Sequence, residues 1–165
     1  MAENDSAGTP PFRLPDPSLV TRTMADVAER GQRGGLALLH DLGKVGIPDT
    51  ILRKPSALSN DEYAVMRTHP ELGARLLAGH PLAHWAVDAV RSHHERPDGL
   101  GYPQGLSGEA IPYASEVVGI CDAFDAMTSA RPYRSAMPVP QALDRIEKDL
   151  GQQFNKRLGR HFLAL

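Results

Sequence analysis

The chain has 165 residues, enough for one ordinary domain that buries a core without disulfide or metal staples. Its formal net charge of -2 gives no global basic field, which excludes bulk attraction to a nucleic acid polymer or an anionic membrane and leaves any phosphate recognition to local groups. The single cysteine, Cys121, cannot close an internal disulfide, no run approaches the roughly 18 apolar residues of a bilayer span, and the N-terminus lacks a signal peptide's order, so the expected setting is the cytoplasm.

In chain order, residues 1–15 mix Ser, Gly, Asn and Pro with little apolar periodicity and read as a disordered arm, leaving 16–165 as the folded domain. Asp16 and Pro17 supply an N-cap and a first-turn proline for a short helix to about Glu29, striped by Leu19, Val20, Met24 and Val27. Leu36, Leu38, Leu39, Leu42 and Val45 then make a buried helical turn or two that contains His40 and Asp41. Ser59 and Glu62 have capping-box spacing and start a helix that stops near Pro70, with His69 at its end. Glu71 to Leu77 forms another short helix, and Leu82 to His94 carries Trp85, Ala86, Val87 and Val90 at helical spacing, closing on His93 and His94. Residues 95–112 are dense in Gly and Pro and form a structured loop, followed by helices at about 114–129, 140–150 and 156–163. With no alternating strand pattern, the expected fold is an all-α helical bundle.

Several polar residues sit in segments otherwise apolar enough to be core. An isolated buried carboxylate must raise its pKa or find a counter-charge, and a metal ion is the strongest one available. Asp41 beside His40, and Asp122 within Val-Val-Gly-Ile-Cys-Asp, both pose this problem; Asp125 is a second inward-capable carboxylate on the same helix. Taken singly, each is as readily a satisfied core histidine, a helix cap or a solvated face, and His69 suits a helix C-terminus. Together, His40-Asp41, His69, His93-His94 and Asp122 fall on separate apolar helices, the way bundle cores assemble metal sites, and a mixed His/carboxylate shell suits Fe or Mn better than Ca. In the loop, Gly99, Gly101 and Pro103 shape backbone, Tyr102 is a wall or partner contact, and Asp98 could orient a ligand histidine.

Four blocks extend this pattern: Leu39-His40-Asp41-Leu42-Gly43-Lys44; Arg67-Thr68-His69-Pro70 with Gly73; His93-His94-Glu95-Arg96-Pro97-Asp98-Gly99-Leu100-Gly101-Tyr102-Pro103; and Cys121 to Ser129 with Arg131-Pro132-Tyr133-Arg134. In this order they resemble the HD-GYP branch of the HD hydrolase superfamily, from about Gly35 to the C-terminus. The resemblance implies a metal-dependent phosphodiesterase that hydrolyses cyclic di-GMP to a linear dinucleotide or GMP, with two or more divalent ions, Fe or Mn, assisting attack by water. It makes His40, His69, His93, His94 and Asp122 metal ligands, Asp41 a carboxylate shared between ions, and Lys44, Arg131 and Arg134 contacts to substrate phosphate. Asp41 and Lys44 are then the catalytic pair. It further suggests a GGDEF-type or other signalling protein as a partner through the loop around Tyr102.

One departure stands beside this match. Such domains usually carry a further His or Glu ligand on an earlier helix, yet residues 1–39 contain no histidine, and only Asp26 and Glu29 offer carboxylates on the expected first helix. The opening helix looks truncated. A degenerate module that binds nucleotide or a signalling partner without turnover is therefore the alternative.

Overall fold

The computed structural model describes residue 36 and residues 39–80, 86–130 and 135–164. The expected N-terminal arm and the helix at 17–29 lie outside them, as do Leu38, Trp85, Arg131 and Arg134. The described elements are helical: α1 (Asp49–Leu52), α2 (Asn60–Met66), α3 (His69–Ala78), α4 (Val87–Ser92), α5 (Tyr113–Thr128), α6 (Val139–Lys148) and α7 (Lys156–Leu163), with short 3-10 turns at Leu42–Gly46 and Gly108–Ala110. An isolated bridge between Leu150 and Phe154 is the one β-type pairing among the described residues. The all-α expectation holds.

Local chemistry sets several boundaries. The capping box forms: the Glu62 amide donates to Ser59 Oγ at 3.2 Å, and the Ser59 amide donates to the Glu62 carboxylate at 2.7 Å. α2 stops at Met66, and α3 starts at His69 with Pro70 in its first turn, where a missing N–H costs nothing. His69 therefore opens a helix instead of closing one, which corrects the expectation from sequence. Around the His-Asp pair the chain tightens into a 3-10 turn, whose three-residue period pulls Val45 out of the apolar stripe, and Val45 is 45 % exposed. α1, a single turn, is not signalled by periodicity.

Two apolar clusters hold the bundle. Leu39, Leu77, Ala86 and Val90 are buried together, with Leu36, Leu42 and Val87 packed on them, so the turn, α3 and α4 form one layer under the histidines. Ile120, Ile146 and Phe154 form the second, joined by Phe124, Met127, Leu158 and Phe162, and this ties α5 to α6 and α7. α4 packs on α5 and links the two layers. The candidate site lies where they meet.

Candidate metal centre

The structure brings His40, Asp41, His69, His93, His94 and Asp122 to one place. Asp41 is central: its Oδ1 is 3.4 Å from His69 Nε2, and its Oδ2 is 3.4 Å from His40 Nε2 and 2.6 Å from Lys44 Nζ. His40 Nε2 in turn lies 3.7 Å from Asp122 Oδ1 on α5. On the other side of Asp41, ligand atoms of His69, His93 and His94 all lie within 4.8 Å of one another. The His93 and His94 rings are 4.0 Å apart between centroids, and His93 also stands edge-on to His40 at 5.2 Å.

The orientation of two histidines is set by backbone. His69 Nδ1 lies 2.8 Å from the Met66 carbonyl, and His93 Nδ1 lies 2.7 Å from the Val90 carbonyl. A carbonyl only accepts, so each Nδ1 carries a hydrogen and donates it, which leaves each Nε2 with its lone pair. Those two Nε2 atoms face each other at 3.4 Å, in side chains that are almost fully buried. Two lone pairs at that separation repel unless a proton or a cation sits with them. The donor set thus fits a borderline divalent ion held by neutral imidazoles.

The electrostatics divide the site into two halves. Burial pushes His93 down to about 4, and it lowers His69 and His94 as well, so all three stay neutral at physiological pH. His40 is also opposed by burial, but the Asp122 and Asp41 carboxylates outweigh it and push His40 up to about 10. Asp41 is held well below the usual carboxylate range despite its burial, through His40 and Lys44, and Asp122 is lowered by His40. Without metal, a protonated His40 together with Lys44 therefore balances the Asp41 and Asp122 carboxylates beside three neutral imidazoles. This half of the site already demands a positive charge.

Against this cluster lies a cavity of about 500 Å³, lined by Tyr63, Arg67, His94, Tyr102, Asp122 and Asn155 among others. The loop carrying Tyr102 is pinned from inside. Glu95, buried directly after the paired histidines, accepts from the Gln104 amide at 2.7 Å and the Leu106 amide at 2.9 Å. A Cβ at Gly101 would lie 2.5 Å from Glu95 Cα, so the loop passes closer to the histidine segment than any side-chain-bearing residue permits; Gly99 has φ +76°. The Tyr102–Pro103 bond is cis, and the Tyr102 ring lies 4.7 Å from that of His94. Burial raises the Tyr102 hydroxyl pKa, so it remains a neutral wall of the cavity.

Two expectations need correcting. Asp98 does not orient a histidine: its carboxylate takes the Arg96 guanidinium and, at 3.0 Å, the Leu100 amide, because the turn places those donors within its reach. Asp125 is exposed and accepts from Ser129 Oγ at 3.2 Å, one turn further along α5 than Asp122 and outside the cluster. Two other residues had no role assigned from sequence: Glu95, which holds the loop, and Arg67, which lines the cavity. Glu95 meets amides nine and eleven residues on, and Arg67 meets the Tyr102 ring 35 residues on, beyond the reach of a local pattern.

An all-α bundle that gathers a His-Asp turn, three further histidines and an aspartate on one cavity defines a helical protein with a candidate metal centre of mixed His/carboxylate donors. The chain belongs to the HD domain family, whose pattern matches residues 21–158, and its motifs are those of the HD-GYP branch. It is 46 % identical, over 73 % of its length, to the cyclic di-GMP phosphodiesterase response regulator RpfG of Xanthomonas campestris. It is 40 % identical, over 78 % of its length, to a cyclic di-GMP phosphodiesterase of Thermotoga maritima. It covers 32 % and 36 % of those two proteins, so it spans about a third of the curated relatives it matches. A crystal structure of a cyclic GMP-AMP-specific phosphodiesterase from Vibrio cholerae shares the fold with a TM-score of 0.57 at 18 % identity, over 84 % of this chain and 39 % of that one. No helix among the described residues is long and apolar enough to cross a membrane.

Proposed function

We propose that this chain is a metal-dependent phosphodiesterase domain that hydrolyses cyclic di-GMP to the linear dinucleotide or GMP. The observation that carries the reading is the pair of inward-facing Nε2 atoms of His69 and His93, 3.4 Å apart with both Nδ1 atoms committed to carbonyls. The names of the relatives from Xanthomonas and Thermotoga supply the substrate class.

His69, His93 and His94 would hold one divalent ion; His40 and Asp122 would hold another, with Asp41 shared. The neutral nitrogens and hard carboxylate oxygens favour Fe or Mn. Bound there, such ions supply Lewis acidity toward the phosphodiester and toward the attacking water. The protein's own part is positional. Asp41 fixes the two halves of the centre against each other, and the Met66 and Val90 carbonyls hold His69 and His93 in the ligating tautomer. Lys44, beside Asp41, offers a cation to a phosphate oxygen, and Tyr102 closes one wall against a nucleotide. Arg131 and Arg134, outside the described residues, are assigned to substrate phosphate on the resemblance alone. The loop tip, where Leu100 is 74 % exposed, is the surface proposed for a GGDEF-type or other signalling partner.

The test is hydrolysis of cyclic di-GMP by protein purified without oxygen, with metal content measured on the same sample. Turnover that a chelator abolishes and Mn or Fe restores is the expected result. Protein that carries two ions per chain and binds the dinucleotide without cleaving it would overturn the enzyme reading in favour of a binding module.

A further inference from the structure

Among the described residues, two cationic side chains line the cavity, and they are differently committed. Arg96 is taken by both oxygens of Asp98. Arg67 has no carboxylate partner among the described residues; its guanidinium carbon lies 4.6 Å from the centre of the Tyr102 ring and 5.9 Å from that of Tyr63. Lys44, the described cation on the metal side, is held at 2.6 Å by Asp41. Arg67, itself exposed, is thus a cation that lines the cavity without an ion pair among the described residues, connected to the histidines by two steps of 4.6 and 4.7 Å, through Tyr102 to His94.

Stacking fixes what such a guanidinium can do. Its flat face rests on an aromatic ring, which orients the side chain and reduces the entropy lost on binding, while its edge keeps N–H donors in a fork that fits a phosphate. A cyclic dinucleotide carries two phosphates on opposite sides of its ring. When one phosphodiester sits at the metal centre, the other must lie elsewhere in the same cavity and needs a counter-charge there.

We infer that Arg67, seated on Tyr102, binds the second phosphate of a cyclic dinucleotide, the one that is not being cleaved. This rests on the proposed phosphodiesterase function and adds a specificity device to it: a substrate with a single phosphodiester cannot use Arg67. Tyr102 acquires a second task as the platform that aims the guanidinium.

The test compares wild type, Arg67→Ala and Arg67→Met, the latter keeping the length of the stem without the charge. Metal-loaded proteins are assayed on cyclic di-GMP, cyclic di-AMP and bis(p-nitrophenyl) phosphate, with melting temperature and metal content as controls for fold. Both variants should raise KM for both cyclic dinucleotides by about tenfold or more, as expected for loss of a charge-assisted contact. The ratio of kcat/KM for cyclic di-GMP to that for bis(p-nitrophenyl) phosphate should fall by a similar factor. Equal loss on all three substrates would place Arg67 in the support of the metal centre and overturn the inference. An effect confined to cyclic di-GMP would do the same, by making Arg67 a reader of guanine. Should wild type turn over none of the three, the phosphodiesterase reading fails instead, and calorimetric binding of the two dinucleotides to wild type and Arg67→Met still decides the role of Arg67 by the same tenfold difference. If Arg67→Ala does not fold, Arg67→Met alone carries the comparison.

Discussion

Gly43 and His69 touch through backbone alone: a Cβ placed on Gly43 would fall 1.8 Å from the His69 carbonyl oxygen. This approach lets the 3-10 turn after the His-Asp pair lie directly on the start of α3, and so puts Asp41 within 3.4 Å of His69. Gly43→Ala should therefore cost more than ordinary overpacking, above about 3 kcal/mol, because a backbone oxygen cannot swing aside as a side chain can. Gly79→Ala is the control. A Cβ there meets nothing within 4 Å, and the residue has φ -85°, so the change should be neutral or stabilising by about 0.4–1 kcal/mol. Chemical denaturation of both variants checks the contrast, and equal stability would show that the turn can slide off α3.

Asp41→Asn should abolish phosphodiester hydrolysis while leaving the helical circular dichroism spectrum intact. An amide cannot bridge two cations as a carboxylate does, whereas the apolar layer of Leu39, Leu77 and Val90 beneath it is untouched. Fewer bound ions per chain should accompany the loss. Unchanged turnover with unchanged metal content would remove Asp41 from the mechanism.

Glu95→Ala should loosen the loop without removing a metal ligand. It leaves the Gln104 and Leu106 amides without their acceptor, a loss of about 1–3 kcal/mol. Hydrogen exchange at those two amides should rise, and KM for cyclic di-GMP should rise more than kcat falls, since Tyr102 is the wall that drifts. Glu95→Gln, which keeps one carboxamide oxygen as acceptor, should recover part of the effect. Exchange rates equal to wild type in Glu95→Ala would show that the loop holds itself.

For the metal-free protein the histidines set a pH dependence. His93 titrates at its ordinary 6.5 when unfolded and at about 4 when folded, so between those values the unfolded chain binds the extra proton. Stability should consequently fall as pH drops from 6.5 toward 4, with His69 and His94 acting in the same direction. His40 behaves oppositely: its raised pKa contributes stability fully below 6.5, which is lost as pH rises toward 10. Melting temperatures in chelator at pH 4.5 and 6.5 should differ more for wild type than for His93→Gln. Identical slopes would mean that His93 is not buried as a neutral ring.

The sequence by itself determined the all-α class, the capped start of α2, the last helix at 156–163 and the set of residues that meet at the candidate centre. These follow from local rules, namely apolar periodicity, a capping box and polar residues stranded in apolar helices, all of which act within a few residues. Tertiary structure alone decided that the Nε2 atoms of His69 and His93 meet at 3.4 Å: each tautomer is set locally by a carbonyl three residues back, Met66 or Val90, but only the packing of α3 on α4 brings the two rings together. It also decided that Glu95 holds the loop, since only a chain folding back through Gly101 brings the Gln104 and Leu106 amides to that carboxylate. Arg67 was present in a recognised block, but what gives it meaning is a ring 35 residues away in sequence that only the closed loop brings to 4.6 Å. Contacts between distant segments depend on how helices pack, and packing is a property of the assembled chain that no single segment encodes.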